Sequence, residues 1–125
     1  MDQEYVRYEG FVPEEEKIQR LKESKGFILL SKSESGCIAA LEALAARKRV
    51  FLPNYTWARE IYAEHASLGD MNDFDKLSGQ IQRFYHDADV ERRDGSNFPV
   101  RTWAQVAEQY LQVYESVKRL DSPTR

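Results

Sequence analysis

The chain has 125 residues, of which 31% are charged and 42% hydrophobic, and its formal net charge is −3. This length fits one domain, and a domain of this size buries about two-thirds of its unfolded surface, so it needs no disulfide or metal to fold. The single cysteine excludes an internal disulfide and a multi-cysteine zinc site. The mild acidity argues against a nucleic-acid partner, no apolar run of about 18 residues is present, and no signal peptide is expected. We expect a soluble cytoplasmic domain without a membrane span.

Strand signals alternate with helix signals along the chain. Short β-rich or apolar runs, bounded by glycine, proline or serine, predict four strands, namely Tyr5–Tyr8, Phe27–Leu30, Arg49–Leu52 and a weak Ala66–Leu68. Helix-start residues and helical spacing of apolar side chains predict five helices, namely Pro13–Lys25, Cys37–Lys48, Thr56–Tyr62, Phe74–Tyr85 and Thr102–Leu120. The alternation indicates an α/β fold with a parallel sheet. The apolar run Phe27–Leu30 is typical of a central strand.

A serine- and glycine-rich loop follows Leu30 and leads directly into the second helix. In a parallel sheet, ligands bind beyond the carboxyl ends of the strands, where backbone N–H groups at a helix start attract anions. Glu34 lies in this loop and Glu42 about two turns into the helix, roughly 9–12 Å along its axis. An ionised carboxylate can accept two hydroxyl donors, so the loop suits a small anionic ligand with hydroxyl groups. The alternative is a simple helix cap with a solvated glutamate, and no dinucleotide or P-loop pattern is present.

Ordered sequence blocks closely resemble the C-terminal domain of group 1 (family 4) glycosyltransferases. The longest are Gly10–Glu16, Phe27–Ser31 and Glu34–Ala46. The spacing of Glu34 and Glu42 reproduces the Glu-x(7)-Glu motif of that family. The resemblance implies half of a GT-B fold, a Rossmann-like three-layer domain with a small parallel sheet of three or four strands flanked by helices. It also implies transfer of a sugar from a nucleotide donor to an acceptor hydroxyl with retained configuration.

The resemblance also implies roles for individual positions. Glu34 would contact the hydroxyls of the donor sugar near the reacting centre, and Glu42 would bind the ribose of the nucleotide. Five further positions would contact the donor through their backbone, namely Gly36, Cys37, Ile38, Gly10 and Phe11. The first three would face the sugar and phosphates, and the last two the base. A UDP- or GDP-linked donor is expected as substrate, with no metal or cofactor.

Some positions depart from the family pattern. Cys37 stands where the family usually has glycine, and Gly36 where it has an aromatic residue. The block Arg47–Arg49 stands where the family usually has Gly-Lys-Pro, and Thr56–Trp57 stands where it has a Gly-Gly pair. Backbone donors survive the first two changes. The bulky Thr56–Trp57 pair is expected to line the cleft and narrow its acceptor side.

The length suggests a partial domain, since a GT-B enzyme needs at least about 200–300 residues. We expect residues 1–120 to form part of a C-terminal donor-binding domain, inactive alone, with a frayed tail over residues 121–125. Its expected partner is the missing N-terminal domain or another chain, and any membrane contact would be peripheral and through that domain. The free edge of Phe27–Leu30 would then pair with Tyr5–Tyr8 or with a second copy.

Two other classes of function remain open at this point. The chain could be a non-catalytic α/β module that works through protein contacts. A flavodoxin-like or receiver domain is disfavoured, because no acidic cluster follows the first strand. Cys37 is interpreted as a packing residue rather than a nucleophile, and Asp73 as a helix cap. Three aromatic side chains on the last helix are expected in the core or at a domain interface, namely Trp103, Tyr110 and Tyr114.

Overall fold

The structure, a computed structural model, describes residues 6–87 and 98–120. Strands and helices alternate along the first of these ranges and a long helix occupies the second. In chain order the elements are α1 (Glu14–Glu23), β1 (Gly26–Ile28), α2 (Ile38–Ala45), β2 (Arg49–Pro53), α3 (Thr56–Tyr62), β3 (Ser67–Gly69), α4 (Phe74–His86) and α5 (Trp103–Leu120). The predicted α/β class is confirmed, and α3 has the predicted bounds.

The three strands form one parallel sheet in the order β1-β2-β3. Phe27 lies opposite Val50, and Leu52 lies opposite Leu68. The central strand is therefore β2, and the expectation that Phe27–Leu30 would be central is wrong. The strand there is a short edge strand, and Ile28 is 43% exposed. An apolar run does not by itself distinguish a central strand from an edge strand, because that depends on which strands pair beside it.

The strand predicted over Tyr5–Tyr8 is also wrong for the residues that the structure describes. Residues 6–10 have no regular secondary structure, and Tyr8 is 93% exposed. Tyr5 itself lies outside the described residues. Alternation of β-rich side chains stabilises a strand only where a neighbouring strand accepts its backbone hydrogen bonds. In the described chain, this segment does not cover the free edge of β1.

The central strand separates two apolar cores. Successive side chains of a strand point to opposite faces, so Val50 and Leu52 face one side of the sheet and Phe51 the other. The larger core adds side chains of α2 and α3 and the residue before β3, namely Cys37, Ala40, Ala43, Leu44, Ala58, Tyr62 and Ala66. The smaller core packs Leu77 and Phe84 of α4 against Phe51. This arrangement confirms the three-layer architecture.

Both ends of α2 contain a residue in the left-handed conformation. Cys37 has φ 47° before the helix, and Arg47 has φ 57° after it. Arg47 N–H donates to Leu44 O and Lys48 N–H to Ala43 O, each at 2.9 Å, which is a Schellman motif. The left-handed conformation costs a residue with a Cβ atom about 1–2 kcal/mol. The two positions thus keep a backbone shape that glycine favours, although neither is glycine.

The last helix does not belong to either core. The large apolar side chains that the structure describes on this helix are at least half exposed, apart from a half-buried Val106, and Trp103 is 80% exposed. The core interpretation of Trp103, Tyr110 and Tyr114 is therefore wrong, because an amphipathic pattern shows that a face is apolar and not what covers it. The interface interpretation stays a prediction. Within the described residues, no helix is both long and apolar enough to cross a membrane.

Candidate functional site

The loop singled out in the sequence lies at the carboxyl edge of the sheet. It follows β1 and leads into α2, while residues 54–55 follow β2 and lead into α3. The two loops border an open hollow of about 470 Å³. Its lining residues are Lys32, Ser33, Glu34, Tyr55, Thr56, Trp57 and Glu60. Glu34 thus faces a space that solvent and a ligand can enter, and Thr56 and Trp57 line the same hollow. That this hollow is the cleft, narrowed on its acceptor side, stays a prediction.

Tyr62 holds the loop from the core side. Its hydroxyl donates to the carbonyl oxygens of Gly36, at 2.7 Å, and Cys37, at 3.3 Å. The side chain is 0% exposed and its ring stacks on Phe98 at 5.7 Å between centroids. Burial raises the pKa of Tyr62 to about 12, so the hydroxyl remains a donor at neutral pH. The last residue of α3 therefore fixes the backbone immediately before α2.

The start of α2 carries no side-chain cap and no acidic residue in its first turn. By contrast, α4 is capped by Asp73, whose carboxylate accepts a hydrogen bond from Lys76 N–H at 2.9 Å. That cap confirms the prediction for Asp73. The first N–H groups of a helix have no intrahelical partner, and they carry partial positive charge. The start of α2 can therefore receive an anion from solvent.

Gly36 and Cys37, directly before α2, differ in how they shape this site. A Cβ added to Gly36 would meet nothing within 4 Å, so the space in front of the loop is open. The Cys37 side chain is buried in the larger core, and burial raises the pKa of its thiol. A protonated buried thiol is a packing group, which confirms the interpretation made from sequence. Ile38, the first residue of α2, has an exposed side chain.

Glu42 lies on α2 and faces α1 rather than the hollow beside α3. Both of its carboxylate oxygens accept hydrogen bonds from Lys17 Nζ at 3.1 Å. Lys17 Nζ also lies 2.8 Å from a carboxylate oxygen of Glu14. The hydrogen bonds that Lys17 donates to Glu14 and Glu42 raise the pKa of Lys17, so this ammonium group remains charged. The two predicted carboxylates, Glu34 and Glu42, therefore have different neighbours, with the start of α2 between them in sequence.

Gly10 and Phe11 come just before α1, the helix that carries Lys17. Gly10 has φ +64°, a conformation that favours glycine, and the Phe11 side chain is 99% exposed. No described contact joins either residue to Glu34 or to the loop before α2. The two residues therefore lie in an exposed segment before α1, the helix whose Lys17 contacts Glu42. Their contact with the base of the nucleotide stays a prediction.

Trp57 forms part of the wall between the hollow and the core. It packs against the larger core and lies edge-on to Tyr62 at 6.4 Å between ring centroids. Its indole Nε1 is buried and has no hydrogen-bond partner. In the described part of the chain, no three histidine, cysteine, aspartate or glutamate side chains are grouped so that they could hold a metal ion.

Comparison with known protein families identifies a family for this chain. The family model described as glycosyl transferases group 1 matches residues 3–98. The chain belongs to the group 1 glycosyltransferases. The matched range contains both glutamates and every element from α1 to α4, whereas α5 lies beyond it. No curated protein and no solved structure gives a significant match.

Membership in the group 1 glycosyltransferases confirms the resemblance read from the sequence. The parallel sheet between two helical layers is consistent with one Rossmann-like half of such an enzyme. Sequence reasoning had already singled out the loop before α2. It missed Tyr62 and Lys17, because neither belongs to a motif and each reaches the site from another element. The spacing of Ala58 and Tyr62 indicates a buried helix face, but not a hydrogen bond to a distant loop.

Proposed function

We propose that this group 1 glycosyltransferase domain binds a UDP- or GDP-linked sugar for transfer to an acceptor hydroxyl with retained configuration. One observation carries the proposal. The uncapped start of α2 lies beside a solvent-open loop, and a carboxylate is available on either side of it in sequence. Backbone N–H groups suit a diphosphate, and carboxylates suit the hydroxyls of the sugar and ribose.

Glu34 is proposed as the residue at the reacting centre. It lies in the hollow, where its carboxylate can accept hydrogen bonds from hydroxyls of the donor sugar. Glu42 is proposed to accept the two ribose hydroxyls. The backbone N–H groups of Gly36, Cys37 and Ile38 would then stabilise the negative charge that develops on the departing diphosphate. Such preorganised donors are usually the largest contribution to rate, and the proposal needs no covalent bond to Glu34.

The segment before α1 is proposed to receive the base. Gly10 allows a backbone conformation that brings peptide groups close to a flat ligand, and the exposed Phe11 ring lies next to it. The base would then lie on the α1 side of Glu42, with the sugar on the α3 side. This order is proposed because Glu42 contacts α1, whereas Glu34 lies in the hollow beside α3.

Replacing Glu42 with alanine should weaken the binding of UDP and GDP at least tenfold. Hydrogen bonds to a charged group are each worth about 1.5–3 kcal/mol, and one kcal/mol changes affinity about fivefold. Titration calorimetry on the whole chain measures this without knowledge of the acceptor. Glu64→Ala is the control, because Glu64 is exposed and lies after α3. Equal affinity of wild type and Glu42→Ala would remove the ribose role from Glu42.

A second candidate function, a module that acts through protein contacts, is favoured by the outer edge of β1, which no strand of the described residues covers. Unpaired backbone groups of an edge strand can pair with another chain, and Ile28 adds an exposed apolar side chain. The partner proposed for this edge is a second copy of the chain. Sedimentation should then show a concentration-dependent dimer that Ile28→Lys abolishes. A monomer over a wide concentration range would contradict edge pairing.

A further inference from the structure

The ion pair between Lys17 and Glu42 occupies a particular part of the glutamate. Lys17 Nζ lies 3.1 Å from Oε1 and 3.1 Å from Oε2, so it sits across the fork between the two oxygens. Both side chains are partly exposed, and solvent or a ligand can reach the pair. The arrangement is therefore a bidentate contact that can open, rather than a buried structural pair.

A ribose diol would use the same fork of the carboxylate. Two neighbouring hydroxyls donate one hydrogen bond to each oxygen, and they approach from the side that faces both oxygens. A single carboxylate edge cannot hold the ammonium group and the diol at once. Binding of a ribose diol at this edge of Glu42 thus requires that Lys17 moves.

We propose that Lys17 occupies the diol-binding edge of Glu42 in the free domain, and that it must leave before the ribose of the donor can bind. Lys17 is thereby a residue that sets how strongly the domain prefers a nucleotide with both ribose hydroxyls. The inference rests on the proposed function, since it assumes that Glu42 binds ribose.

Glu14 provides the place to which Lys17 can move. Its carboxylate oxygen lies 2.8 Å from Lys17 Nζ, one turn earlier on α1, and its side chain is well exposed. The ammonium group contacts both carboxylates at once, so it can leave Glu42 and keep Glu14 as a charged partner. An exposed ion pair contributes little, so the competition should change diol preference by about two- to fivefold and not abolish binding.

The test compares UDP with 2′-deoxy-UDP, and GDP with 2′-deoxy-GDP, by calorimetry on the whole chain. The measured quantity is the dissociation constant of the 2′-deoxy compound divided by that of its ribose counterpart. Because both members of a pair carry the same diphosphate, this ratio reports the contribution of the 2′-hydroxyl and not a general change in charge. Lys17→Met should raise this ratio about two- to fivefold above wild type. Glu14→Gln should lower it, because Lys17 then holds Glu42 more firmly.

Two controls assign the effect to the pair. Lys22→Met removes another lysine of α1 and should leave the ratio unchanged, as should Glu15→Gln. In a Glu42→Gln background, Lys17→Met should no longer change the ratio. A ratio that is equal or lower in Lys17→Met than in wild type overturns the inference while the proposed function stands. No binding of either diphosphate to wild type or to Lys17→Met overturns both.

Discussion

Replacing Tyr62 with alanine should lower the free energy of unfolding by about 3–5 kcal/mol. Among the described residues, Tyr62 has the largest fully buried side chain, and it packs in the larger core with side chains of α2 and β2. Its removal leaves a cavity beside Phe98 and Trp57, and the loop before α2 loses its hydrogen-bond donor. Urea unfolding followed by far-UV circular dichroism measures the change. A loss below about 1 kcal/mol would mean that Tyr62 is not a core residue.

The phenylalanine variant separates the hydroxyl from the ring. Tyr62→Phe keeps the packing and leaves the Gly36 and Cys37 carbonyls without their donor, which should cost about 1–2 kcal/mol. Because the loop becomes less fixed, nucleotide affinity should fall as well. A variant with wild-type stability and affinity would show that the hydroxyl does not position the loop.

Because burial raises the pKa of the Tyr62 hydroxyl, we expect the free energy of unfolding to depend on pH. The folded-state pKa of Tyr62, about 12, lies above its ordinary value of 10.0. A group whose pKa is raised on folding contributes stability that is fully present below its unfolded pKa, so this contribution should be lost as pH rises from 10 towards 12. Urea titrations at pH 9 and pH 11 should show a larger fall for wild type than for Tyr62→Phe. An equal fall in both proteins would contradict the assignment.

Replacing Gly69 with alanine should destabilise the domain by about 1–3 kcal/mol. A Cβ atom at this position would lie 2.6 Å from the Phe51 ring and 2.7 Å from Leu77. Both side chains belong to the smaller core, where Phe51 also packs against Phe84, so neither can move away without disturbing its neighbours. Urea unfolding measures the loss.

Gly79 is the matched control, because it lies in α4, the helix whose Leu77 lies next to Gly69, but has open space where its Cβ would be. Gly79→Ala should stabilise the domain by about 0.5–1 kcal/mol, since glycine inside a helix costs that much relative to alanine. The two glycine substitutions should thus have opposite signs. Destabilisation by both, to a similar extent, would contradict the packing described around Gly69.

Local signals in the sequence were sufficient for most of the fold. The proline and acidic residues at the start of α1, the apolar run of β2 and the capping Asp73 each determine structure through nearby residues. The errors arise where tertiary partners decide. Phe27–Leu30 became an edge strand, Tyr5–Tyr8 formed no strand over its described residues, and α5 left its apolar face exposed.

The candidate site also combines features that local sequence predicts with contacts that depend on tertiary packing. The spacing of Glu34 and Glu42 and the glycine before α2 are visible in the sequence, and the family match includes them. The hydroxyl of Tyr62 and the ammonium group of Lys17 act across about 25 residues of chain, Tyr62 to Cys37 and Lys17 to Glu42. Their partners depend on how α1 and α3 pack beside α2. The roles of the two glutamates in binding the nucleotide sugar stay predictions.

The most direct test of donor binding at the start of α2 is a map of backbone amide shifts during titration with UDP and with GDP. We predict that one of them shifts the amides of residues 31–38 and that of Glu42, and that Glu42→Ala removes most of the effect. The contradicting result is a map without shifts in this loop. Shifts confined to the cavity of about 460 Å³ at β2, β3 and α4, which Arg49, His65 and Arg83 line, would equally place the anion elsewhere.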